Sequence, residues 1–239
     1  MGDPQHPVTT ERRDAVLVVS LDDGKANAIT HAMIEQLGAA LDEAEADGDI
    51  RAVAINGRDG RFSAGFDLSV MQAGPNEARE LLGAGGQLGL RIYTFPKPVV
   101  LGCTGHALAM GSILLMVADA RIGAAGPFKI GLNEIAIGMP VPRFAVEVAR
   151  DRLAKHAFVP SVLHAQVHDP DGARDAGFLD QVLPPEEVPE AAIAHAAHLA
   201  ATLSLGAFTL TRTFVRGELG EQLATGMARD MALFDLADS

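Results

Sequence analysis

Three stretches of this 239-residue chain hold residue types that could do chemistry. In FKIGLNEIAIGM, residues 128–139, Glu134 is the sole carboxylate, set among Ile130, Leu132, Ile135, Ile137 and Met139. A charge among apolar side chains is costly unless it is paired, solvated or put to use. Such a carboxyl group keeps its proton to higher pH and can shuttle it near neutrality; alternatively, its head reaches water beside Asn133. In GRFSAGFDL, Ser63, Ala64 and Gly65 precede Phe66. Small residues let backbone approach a ligand with N–H groups turned outward, although a plain tight turn has the same composition. In GHALAMGSILL, a small-residue turn opens a helical pattern. The first N–H groups of a helix lack internal partners and carry the positive end of its dipole, so they can meet a developing oxyanion. Close packing through Gly105, Ala107, Ala109 and Gly111 is the other reading.

The elements that must position these stretches follow from periodicity and turn signals. AVLVVSL (15–21) predicts a strand closed by the turn DDGK. Thr30 is placed to cap a helix whose Met33, Leu37 and Leu41 recur every four residues. RAVAING and KPVVLGC predict further strands, with RDGRFSAGFDL turn-rich and irregular between them. Helices are expected over NEARELLGAGGQLGLRIYTF, AMGSILLMVADA, PRFAVEVARDRLA and DGARDAG, and short strands at RIGA and FLDQVL. From about Val188 the chain is alanine-rich and helical. Alternating strands and helices followed by helices alone predict an α/β fold: a core over 1–185, with a loose arm at 1–12, and a helical region over 186–239.

Composition narrows the function. A formal charge of −12 argues against nucleic acid and against an anionic membrane surface, while leaving a small anionic ligand open. Cys103 is the only cysteine, which excludes an internal disulfide framework and suits a reducing compartment; with no leader pattern at the start, a cytoplasmic location is expected. Residues 98–120 are almost free of charge, but glycines and Thr104–His106 interrupt them, so a buried strand–turn–helix is expected rather than a membrane span. HAQVHD sets His164 and His168 four apart, as on one helix face, without a third ligand, so no metal is expected. Ser63, Ser112 and His106 form no nucleophile elbow, and GAGGQLG is no dinucleotide fingerprint, because Leu88 stands where its last glycine belongs.

Taken together, FSAGFDL, KPVVLGCTGHALAMG, ADARI and GLNEIAIGMP occur in the order and nearly at the spacing of the crotonase (enoyl-CoA hydratase/isomerase) superfamily, with GKANAIT and DGARDAGFLDQVLP as flanking matches. The resemblance implies a crotonase-like spiral of ββα units whose helical C-terminal region builds a homotrimer or a dimer of trimers. It implies an acyl-CoA thioester as partner, with coenzyme A as part of the substrate and no separate cofactor. The thioester oxygen would receive backbone N–H groups of Phe66 and Met110. Backbone around Lys25, Ala26 and Asn27, and around Ser63, Ala64, Gly65 and Asp67, would line the path of the nucleotide and pantetheine, and Leu68, Gly111 and Ile113 would join the substrate-binding residues. Arg58 and Arg61 could meet the phosphates or stay solvated, and the small residues of GAGGQLG could make room for an acyl chain.

Hydratases of this superfamily use two glutamates, and here Ile113 stands at the first of those positions. Only Glu134 remains, in a segment that resembles the one bearing the lone glutamate of Δ3,Δ2-enoyl-CoA isomerases. The expected activity is therefore isomerisation of an enoyl-CoA, with enoyl-CoA hydration or non-catalytic acyl-CoA binding as alternatives.

Overall fold

The computed structural model describes residues 2–234, with side chains as far as residue 226. In chain order the strands are Val8–Arg13 (β1), Val16–Leu21 (β2), Ala28–Ile29 (β3), Ala52–Asn56 (β4), Gly60–Ser63 (β5), Gly65–Phe66 (β6), Val99–Cys103 (β7), Gly105–Leu108 (β8), Ala120–Ala124 (β9), Ile130–Gly131 (β10) and Gln181–Leu183 (β11). The helices are His31–Ala46 (α1), Leu68–Met71 (α2), Pro75–Thr94 (α3), Met110–Val117 (α4), Arg143–Arg152 (α5), Lys155–Leu163 (α6), Pro170–Ala176 (α7), Val188–Thr202 (α8) and Leu205–Phe234 (α9).

The main sheet has the order β1-β2-β4-β7-β9-β11 and is parallel except for β1. All five residues of β4 and of β7 are buried, as befits strands covered on both faces. The two-residue period sorts β2 between two cores. Leu17 and Val19 join the larger core under α1, α3 and α4, whereas Val16 and Val18 join a smaller one under α8. A second sheet, β10-β8-β5, is also parallel, and β3 pairs with β6. Each main-sheet strand β4, β7 and β9 is followed by a short strand, β5, β8 or β10, of the second sheet, and then by helix. This repeating ββα unit gives the crotonase-like spiral that the motifs imply.

Several expectations change. Residues 8–12 are not a loose arm: β1 pairs with β2 along its length, from Val8↔Leu21 to Arg13↔Val16. As an edge strand with mostly exposed side chains it lacks an alternating apolar signal. The irregular stretch at 58–68 contains β5 and β6. His164 and His168 do not share a helix face, since α6 ends at Leu163 and the His168 backbone pairs with Ile130. The core also runs past residue 185, because α8 covers a sheet face. Residues 98–120 are β7, β8 and α4, and no single helix among the described residues is long and apolar enough to cross a membrane.

Candidate active site

The three chemically suggestive stretches meet around β8. This strand lies between β5, which leads to Phe66, and β10, which leads to Glu134, and β8 itself runs into α4. All three strands are parallel, so the residues that follow them emerge at one end of the sheet.

At the start of α4, Ala109 adopts φ 49° and ψ −121°, a conformation disfavoured for a residue with a Cβ. The Ala109 carbonyl accepts the N–H groups of Ser112 and Ile113, so the helix closes after Met110 and Gly111, whose N–H groups lack intrahelical acceptors. Gly65, at φ +94°, sits against this turn. A Cβ there would lie 2.8 Å from the Ala109 Cβ and 3.4 Å from the Met110 nitrogen. Phe66 is thereby set beside Met110. The Asp67 N–H donates to the Ile29 carbonyl, and successive strand N–H groups alternate, so the Phe66 N–H faces away from β3. Gly111 is likewise pressed on β5: a Cβ there would come within 2.5 Å of the Ser63 carbonyl oxygen.

Glu134 follows β10, and its carbonyl anchors the N–H groups of Ile137 and Met139. The residue is 6% exposed, and its Oε2 is buried with no hydrogen-bond partner among the described residues. Loss of water pushes its pKa up to about 7, against a smaller downward pull from the backbone N–H groups of Glu134 and Asn133. The reading in which this head group reaches bulk water is therefore not the one realised. Its carboxyl group shares a cavity of about 140 Å³ with Ala64, Phe66, Ala109, Ile113 and Asn133. Leu68, Met71, Leu82, Ile137, Met139 and two prolines complete the wall, and among the described residues Glu134 is the only ionisable side chain lining it.

Not every residue singled out in the sequence faces the cavity. Met110 is buried and contributes backbone. Ser63 is fully buried, its hydroxyl accepting the Gly65 N–H. Asn27 is a brace: fully buried at φ 52°, it donates from Nδ2 to the carbonyls of Leu21 and Phe62 and accepts the Asp23 N–H at Oδ1. The Ala26 carbonyl accepts the Ala64 N–H, tying this loop to β5 and β6, while the Lys25 carbonyl accepts from Arg58. Asp67 caps α2 through Ser69, which holds its carboxyl below the usual range. Arg58 pairs with Asp22, and Arg61 donates to the Gly60 carbonyl. The small residues of GAGGQLG do not enlarge the cavity. Gly85 and Gly89 on α3 admit the rings of Phe66 and Phe144 instead. Sequence reading passed over Met71 and Leu82 and took Asn133 and Met139 only as neighbours of Glu134, because nothing in their spacing separates cavity wall from ordinary core.

The profile of the enoyl-CoA hydratase/isomerase family matches residues 11–238. A solved structure of an enoyl-CoA hydratase/isomerase family protein from Pseudomonas syringae is 41% identical, with a TM-score of 0.92, covering 96% of this chain and 99% of that one. A Mycobacterium tuberculosis protein, described as an enoyl-CoA isomerase in one solved structure and as a probable enoyl-CoA hydratase in another, is 38% identical in the first, with a TM-score of 0.88, covering 95% and 98%. A Bacillus subtilis protein described as a probable enoyl-CoA hydratase is 36% identical over 132 residues, which span 54% of this chain and half the length of that relative.

Proposed function

The chain belongs to the enoyl-CoA hydratase/isomerase family, and within it we propose an enoyl-CoA isomerase in which Glu134 alone carries the proton. The observation that supports this reading is the wall of the cavity: Ile113 lines it where hydration would need a second carboxylate, and Glu134 is its only ionisable side chain among the described residues. Hydration requires a base to activate water and an acid to protonate carbon, work that paired carboxylates divide. Moving a double bond from C3 to C2 needs one group.

In the proposed reaction the Glu134 carboxylate takes a proton from C2. The C–H electron pair enters the conjugated system and charge collects on the thioester oxygen as a dienolate. The N–H groups of Phe66 and Met110 receive that oxygen; removal of one such donor typically costs ~3–4 kcal/mol of transition-state stabilisation. The carboxylic acid then returns the proton at C4, the C2–C3 double bond forms and the carbonyl is restored. Atoms and electrons are conserved, and Glu134 ends ionised. Apolar neighbours keep water from quenching the dienolate. Backbone at Lys25–Asn27 and Ser63–Asp67 borders the proposed route of the pantetheine and nucleotide. Arg58 and Arg61 are tied to protein partners and carry no part of this reading.

A second reading, enoyl-CoA hydration, is favoured by one feature. The Asn133 Oδ1 in the same cavity is buried and without a partner, which offers a water an acceptor beside Glu134. The B. subtilis relative is named for that activity. An amide, however, cannot serve as a base. Assembly into a homotrimer or a dimer of trimers belongs to the same proposal, supported by exposed Leu210, Phe214 and Val215 on α9.

Incubation with a 3-enoyl-CoA and, separately, a 2-enoyl-CoA, with products followed by mass and NMR, tests the reading. Interconversion without water uptake is expected. Glu134→Gln should bind acyl-CoA normally yet lose deuterium exchange at C2. A water adduct as the main product, or full turnover by that variant, would overturn it.

A further inference from the structure

Helix α3 carries Gly85 in its buried face, where alanine would give a stronger helix. A Cβ built at Gly85 lies 2.4 and 2.5 Å from Cε1 and Cζ of Phe66, and 3.7 Å from the Met110 methyl carbon. These are the side chains of the two residues whose N–H groups face the proposed thioester oxygen. The missing methyl group on a third element therefore makes room for the Phe66 ring, while the Met110 methyl carbon lies at ordinary contact distance. Resting on the isomerase reading, we infer that Gly85 is a positioning residue: its bare Cα forms the notch that holds the Phe66 ring out of the acyl cavity and so fixes the Phe66 amide beside Met110.

The argument is steric. Carbon contacts are comfortable from about 3.5 Å, so an alanine at 85 would drive the ring back by roughly 1 Å. Phe66 has α3 on one side and lines the cavity on the other. The ring must therefore enter the cavity or pull the Phe66 backbone with it. Gly65 restricts the second route, because its close fit on Ala109 leaves that backbone little freedom. Displacement of about 1 Å at reacting groups can lower rates on the order of a hundredfold. The neighbouring Gly89 makes a parallel notch for Phe144, which is outside the cavity wall, and so supplies an internal control.

The test compares wild type, Gly85→Ala, Phe66→Leu and the double variant. Each is measured for thermal stability, for kcat and KM on 3-hexenoyl-CoA, and for affinity for octanoyl-CoA by calorimetry. Gly85→Ala should keep a cooperative melt yet lose tenfold or more in kcat/KM, with weaker octanoyl-CoA binding. Phe66→Leu removes the colliding ring atoms, so the double variant should match Phe66→Leu within about threefold. Wild-type kinetics and affinity in Gly85→Ala would overturn the inference, as would failure of Phe66→Leu to relieve the defect. Failure of the isomerase reading shows separately, as wild type that binds octanoyl-CoA without isomerising the 3-enoyl substrate; the affinity comparison still judges Gly85. Should wild type bind no acyl-CoA, both fall.

Discussion

A carboxyl group whose pKa is raised to about 7 has consequences for both rate and stability. The base must be ionised to take the C2 proton, so kcat/KM should climb with pH along a limb centred near 7 that disappears in Glu134→Gln. Stability should move the other way. Between pH 4.5 and 7 the folded state holds a proton at Glu134 that the unfolded chain has released, so stability falls as pH rises through this window. Glutamine carries no such cost. The Glu134→Gln protein should therefore gain about 3 kcal/mol over wild type between pH 4 and pH 8 in denaturant titrations. Equal pH dependence in the two proteins would show the carboxyl group to be solvated. At Ile113 the test is a gain: Ile113→Glu restores a second carboxylate to the wall and should raise water-adduct formation on a 2-enoyl-CoA at least tenfold, read by loss of the enoyl thioester absorbance.

Among the elements, the turn between β8 and α4 is held under strain. Ala109 occupies a backbone region that costs of order 1–3 kcal/mol for a residue with a Cβ. Ala109→Gly should relieve about 1 kcal/mol and raise the melting temperature by roughly 2–4 °C. A fall would mean that the Ala109 methyl packing on Gly65 outweighs the strain. The sequence made most of this framework legible. Thr30 does cap α1, with its side chain accepting the Met33 N–H, because capping is local chemistry. Glu134, Gly65 and Gly111 could be marked for the same reason, as types out of keeping with their neighbours. What stayed hidden depends on distant partners. β1 is an edge strand without a buried face, and the bracing role of the Asn27 side chain depends on the carbonyls of Leu21 and Phe62, which accept from its amide. The glycines of α3 gave no hint that rings from residues 66 and 144 would occupy their notches.

Across the molecule, α9 packs on α3 and α5, and so backs the helix that seats Phe66. Its attachment combines Leu219 and Leu223, packed into the main core, with buried charge. The Asp119 carboxylate, largely buried, accepts from Arg212 and from the Val99 N–H at 2.8 Å, and forms an ion pair with Arg216 at 3.2 Å. Asp119→Ala would strand two buried guanidinium groups, at a cost of about 3–5 kcal/mol. Unfolding should shift to lower denaturant, and proteolysis within α9 should accelerate; an unchanged midpoint would show that the carbonyls of Tyr93, Phe95 and Ala118 suffice.

The central place of β8 bears on how the molecule regains activity after denaturation. Its partners β5 and β10 lie about forty residues upstream and about twenty downstream, so the pocket closes only when segments far apart in the chain have met. Helices form from near neighbours within microseconds, whereas non-local parallel pairing is slow. On dilution from denaturant, far-ultraviolet ellipticity should therefore recover ahead of turnover, and separately expressed halves cut near residue 104 should be inert until mixed.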